Sequence, residues 1–106
     1  MRLPDRRTWA NLPAMSNYSL SGHVALVTGS SKGLGASIVR NLASAGASVA
    51  VNAFNNIDRA QKLADDINAE GGKAIAVAAD ITDAPHVASL VEEVASRMGP
   101  IDIVVP

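Results

Sequence analysis

The sequence predicts an α/β protein: a parallel sheet covered by helices on both faces. Three observations carry that expectation. Apolar, β-branched runs alternate regularly with amphipathic stretches of helical period. The strand-like runs are continuously apolar, as strands buried on both faces are. Between the first run and the first helical stretch lies a glycine-rich turn, "TGSSKGLG", at residues 28–35.

The elements follow in order. "HVALVTG" is a short buried strand ending in glycine. In "GLGASIVRNLASAG", Leu34, Ile38 and Leu42 recur at steps of four with Val39 beside them, and Gly46 supplies a C-terminal stop. "ASVAVNAF" is the second strand. The second helix carries Ala60, Leu63, Ala64 and Ile67 on one face and ends at Gly71 and Gly72. "KAIAVAAD" is the third strand. The third helix places Val87, Leu90, Val91, Val94 and Met98 at three- and four-residue steps. Asp83 stands at its N-cap position, Pro85 in its first turn, and Gly99 and Pro100 close it. "IDIVV" is the fourth strand.

Composition narrows the function classes. Of 106 residues, 48% are hydrophobic and 18% charged, which suits a globular domain rather than a disordered chain. Trp9, Tyr18 and Phe54 are the only aromatics, so the core is aliphatic. A net charge of -1 leaves no basic footprint for nucleic acid. The absence of cysteine removes thiol catalysis and disulfides and suits a reducing, cytoplasmic setting. No apolar run reaches the roughly 18 residues of a membrane span. Residues 1–17 hold Arg2, Arg6 and Arg7 broken by Pro4, Asp5 and Pro13, and read as a disordered leader. Met15 is an alternative start. The domain proper is expected over 18–106.

In such folds ligands sit outside the carboxyl ends of the strands. There Gly29, Gly33 and Gly35 form G-x-x-x-G-x-G. Gly29 lets the chain turn off the first strand, Gly33 lets backbone approach a pyrophosphate, and Gly35 lets the helix pack tightly on the sheet. The helix amino end offers free N–H groups and partial positive charge. A P-loop would need Gly-Lys-Ser/Thr, whereas Lys32 here precedes Gly33. A tight turn without a ligand would use the same glycines. Asp80, at the end of the third strand, reads equally as a turn residue with Thr82 and Asp83 or as a ligand contact. Asp102 stands near the start of the fourth strand. His23 and His86 have neither triad nor metal-ligand spacing.

"TGSSKGLG", "ADITD" and "IDIVV", in that order, resemble the N-terminal half of the short-chain dehydrogenase/reductase family, with 3-oxoacyl-carrier-protein reductases the most similar branch. The likeness covers residues 18–105 and implies a Rossmann-type doubly wound parallel sheet that binds NAD or NADP. By position, Gly29, Ser31, Gly33 and Leu34 would border the pyrophosphate, and Asp80 with Ile81 would hold the adenine. NAD-preferring members carry an acidic residue at the end of the second strand. Here 51–56 reads "VNAFNN", without Asp or Glu. Lys32 resembles the basic residue that contacts the 2′-phosphate, so NADP is the expected cofactor. The family's second basic residue is missing, because Ala53 and Phe54 stand in that region. The alternative for Lys32 is a solvated loop lysine.

The resemblance also names what the sequence lacks. The family's chemistry uses Tyr-x-x-x-Lys with a serine and an asparagine. The one tyrosine here is Tyr18, with Gly22 four residues on, so no catalytic residue is expected. Pro106 stands where the family continues into Asn-Asn-Ala-Gly, and the expectation is a sheet truncated after its fourth strand, marginal or partner-dependent in stability. The chain would be the cofactor-binding half of an oxidoreductase. The alternative is a non-catalytic product that binds nucleotide, forms a homo-oligomer or pairs with full-length relatives.

Overall fold

The computed structural model describes residues 19–106, which form seven elements; Tyr18 and the expected leader lie outside the described residues. The elements are β1 (Val24–Val27), α1 (Gly33–Ser44), β2 (Ser48–Ala53), α2 (Ile57–Ala69), β3 (Lys73–Ala78), α3 (Ala84–Met98) and β4 (Ile103–Val105). All strand pairs are parallel and the sheet order is β3-β2-β1-β4. The expected Rossmann-type α/β architecture is present.

This order decides which face each helix covers. The chain steps from β1 to β2 to β3 in one direction, so right-handed crossovers put α1 and α2 on the same face. The next connection steps back past β1 to β4 and puts α3 on the other. Side chains alternate along β1 accordingly. Ala25 and Val27 face Val39, Ala60, Leu63 and Ile67, while Val24 and Leu26 face Leu90 and Val94. The direction of the chain therefore reverses at β1, which puts the switch point, where such folds take their ligands, at the carboxyl ends of β1 and β4.

The α2 stripe is buried as its period predicts: Ala60, Leu63, Ala64 and Ile67 all face the core. The other two helices depart from expectation in part. Leu34, read as the start of the α1 stripe, is 78% exposed, and Val39 is the buried residue of that helix. Leu34 is turned to solvent, while Gly35 lies against Ser30 and Ala36 packs on the core from the same turn. On α3, Leu90 and Val94 form the line of contact, whereas Val91 is 42% exposed. It lies about 100° around the helix from Leu90.

Asp83 occupies the N-cap position of α3, but its side chain makes no capping bond. Asp102 lies at the amino end of β1, away from the glycine turn. Its Oδ2 accepts from Val24 N at 2.9 Å, and His23 Nδ1 stands 3.4 Å away. Both groups fasten β4 to β1 at that end.

Candidate functional site

The glycine turn leaves β1 where the sheet order reverses. Gly29 and Gly33 have φ of 58° and 61°, a conformation that side-chain-bearing residues rarely adopt. A Cβ on Gly33 would meet nothing within 4 Å, so an open cradle faces the start of α1. Gly35 is different. A Cβ there would lie 2.8 Å from Ser30 Cα and 3.0 Å from Gly29 O. Its small size lets α1 press against the turn itself, rather than against a strand as the spacing suggested.

Two residues that the sequence reading passed over hold this turn. Ser30 is fully buried; its Oγ donates to Val27 O at 2.6 Å and accepts from Asn52 N at 3.1 Å. Ser30 N donates to Asn52 O at 3.0 Å. The Asn52 side chain, also buried, accepts from Gly29 N at 3.1 Å and donates to Val77 O and Ala79 O, each at 3.3 Å. One amide group thus links the turn after β1 to the end of β3. The signal in the sequence was a lone asparagine inside an apolar strand, which has to find partners when buried.

The amino end of α1 is left open by the protein. Lys32 takes the N-cap position in extended backbone, its side chain makes no cap, and the first turn holds no acidic residue. At α2, by contrast, Asn56 accepts from Arg59 N and Asp58 sits in the first turn. Uncapped N–H groups with the helix dipole behind them suit an anion. Lys32 is exposed and forms no ion pair among the described residues. Leu34, Phe54 and Ile81, which follow β1, β2 and β3, are all exposed and give the same sheet edge an apolar rim.

Asp80 stands on that edge in a tight turn. Its Oδ1 accepts from Thr82 N at 2.9 Å and Thr82 Oγ1 at 2.6 Å, and its own N–H donates to His86 Nδ1 at 3.2 Å. The Thr82 hydroxyl and backbone N–H hold the carboxyl below the ordinary carboxylate value. The turn reading of Asp80 is therefore realised through one oxygen, and Oδ2 makes no hydrogen bond among the described residues.

A parallel sheet with a glycine turn at its switch point defines the dinucleotide-fold class, and comparison with known proteins narrows it. Residues 23–106 match the family model described as short chain dehydrogenase. The chain belongs to that family, whose members are oxidoreductases that bind nicotinamide dinucleotides. Elsinochrome reductase 1 of Elsinoe fawcettii is 46% identical over 94 residues, covering 89% of this chain and 35% of the relative. Hydroxynaphthalene reductase arp2 of Aspergillus fumigatus is 48% identical over 86 residues, covering 81% and 32%. A dehydrogenase/reductase from Sinorhizobium meliloti superposes with a TM-score of 0.80 at 40% identity, covering 85% of this chain and 36% of that one. The chain spans about a third of the length of the curated relatives it matches. No helix among the described residues is long and apolar enough to cross a membrane.

Proposed function

We propose that this chain is the NADP-binding part of a cytoplasmic short-chain oxidoreductase that reduces a carbonyl or oxidises a secondary alcohol. The observation that carries the reading is the open cradle over Gly33 at the uncapped start of α1. A pyrophosphate there would meet free N–H groups, with Gly29, Ser31, Gly33 and Leu34 around it and Gly35 holding the helix against the turn. The free Oδ2 of ionised Asp80 would accept from the adenine amino group, and Ile81 would cover the ring. Lys32 would face the 2′-phosphate. When bound, the nicotinamide supplies or takes the hydride. No residue of this sequence is assigned to proton transfer, because it contains no Tyr-x-x-x-Lys. Binding without turnover is the expected behaviour of the 106-residue chain.

Titration of the chain with NADPH and NADH tests this. Lys32→Ala should weaken NADPH about tenfold, the worth of one charge-assisted contact, and leave NADH within about twofold. Equal losses would remove Lys32 from 2′-phosphate recognition. Failure of the native chain to bind either dinucleotide would defeat the reading itself. The second reading, pairing with another copy or a longer relative, draws support from β4. Its outer edge has no neighbour among the described residues and Val104 is 61% exposed.

A further inference from the structure

We infer that Arg59, on the first turn of α2, supplies the second cation for the 2′-phosphate, which would seat in the groove between α1 and α2. The inference rests on the dinucleotide reading and deepens it: Arg59 would then share with Lys32 the preference for NADP over NAD. Reading along the end of β2 finds only Ala53 and Phe54 where a basic residue is wanted. The fold brings one back from the following helix.

The groove has a volume of about 230 Å³, and Ser31 of the glycine turn lines it together with Arg40, Arg59, Lys62 and Asp66. Ser31 is the neighbour of Lys32, so the groove adjoins the cation already assigned to the phosphate. Its size falls short of the ~300 Å³ at which a pocket encloses a whole small ligand, and suits one substituent of a larger molecule.

Charge selects the substituent. Arg40 is committed to Asp66 and Glu70, each at 3.7 Å, and Lys62 to Asp66 at 3.4 Å. The guanidinium of Arg59 has no carboxylate partner among the described residues; only its backbone N–H is engaged, by Asn56. Three cations and one carboxylate line the groove, which leaves a positive surplus. The positive end of the α2 dipole adds to it. A phosphate monoester carries about two negative charges at neutral pH and matches the guanidinium fork. A ribose hydroxyl does neither, so this position separates the two cofactors.

Calorimetric titration of the full chain with adenosine 2′,5′-bisphosphate and adenosine 5′-phosphate decides the matter without any turnover. Arg59→Ala should weaken the bisphosphate about tenfold and the monophosphate by less than about twofold. Arg59→Lys should fall between, since it keeps the charge and loses the fork. Arg97→Ala, an exposed helix arginine paired with Glu93, should leave both ligands unchanged. Equal losses for the two ligands in Arg59→Ala, or none, overturn the inference and leave the dinucleotide reading standing. Absence of binding by the native chain overturns both. A readout independent of any variant is the Arg59 Nε–H resonance. It should shift when the bisphosphate is added and stay in place with the monophosphate, and a resonance that ignores the bisphosphate refutes the assignment.

Discussion

Gly33 and Gly35 stand two positions apart, yet a methyl group would do different damage at each. At Gly33 there is space, and only the left-handed backbone resists; Gly33→Ala should cost about 1 kcal/mol of stability. The same methyl would stand in the cradle assigned to pyrophosphate, so NADPH affinity should fall by more than tenfold, well beyond what the stability loss explains. At Gly35 the added atom meets backbone at 2.8 Å, which cannot yield as a side-chain tip can. Gly35→Ala should therefore cost about 3 kcal/mol, with any binding loss tracking unfolding. Denaturant melts and NADPH titrations of both variants separate the roles. Equal affinity in Gly33→Ala and the native chain would empty the cradle of meaning. The glycine spacing was legible in the sequence because it encodes local backbone needs. The two-sided nature of Asp80 was not, because spacing does not say which carboxylate oxygen a turn consumes.

Elements were the most legible scale, and the exceptions share a cause. Hydrophobic period marks which side of a helix is apolar without saying how far the partner surface extends. The α2 stripe lies wholly over the core, while Leu34 is turned to solvent beside the packed Gly35 and Ala36, and Val91 falls beside the contact line. Asn52 was hidden for another reason. Its partners Val77 O and Ala79 O are backbone groups 25 and 27 residues away, and backbone carbonyls leave no mark in a sequence. Its place between β1, β2 and β3 supports a prediction. In Asn52→Asp a carboxylate can still accept from Gly29 N, but it cannot donate to the two carbonyls, and it is buried. Urea unfolding at neutral pH should show a loss of about 2–4 kcal/mol. Acid should narrow that gap, since a protonated carboxyl regains one donor and sheds its charge. An unchanged midpoint would mean that the turn is held by Ser30 alone.

For the whole molecule, function and vulnerability lie in different places. The carboxyl edge of the sheet carries the glycine turn, held by polar bonds of Ser30 and Asn52, together with Lys32, Asp80 and the apolar rim. The weak side is β4, three residues long, paired to β1 alone among the described residues. Ile103 and Val105 pack against the α1 and α2 face, but Val104, in register with Leu26, points to the side of α3 and stays 61% exposed. Strand identity was legible in "IDIVV"; that α3 leaves Val104 bare was not, because that depends on strand order. An apolar strand with a free edge recruits other strands. The isolated chain should therefore associate as its concentration rises, with a sedimentation coefficient that climbs over the micromolar range. Val104→Lys should move it toward monomer, because a charge at that edge opposes a second strand, while an exposed site changes stability by only about 0.5 kcal/mol. If the native chain stays monomeric at every concentration, the edge is protected in some other way, and pairing with relatives through β4 loses its physical basis. If Val104→Lys abolishes association yet binds NADPH as the native chain does, the two edges of the sheet are independent, and the cofactor site needs no partner.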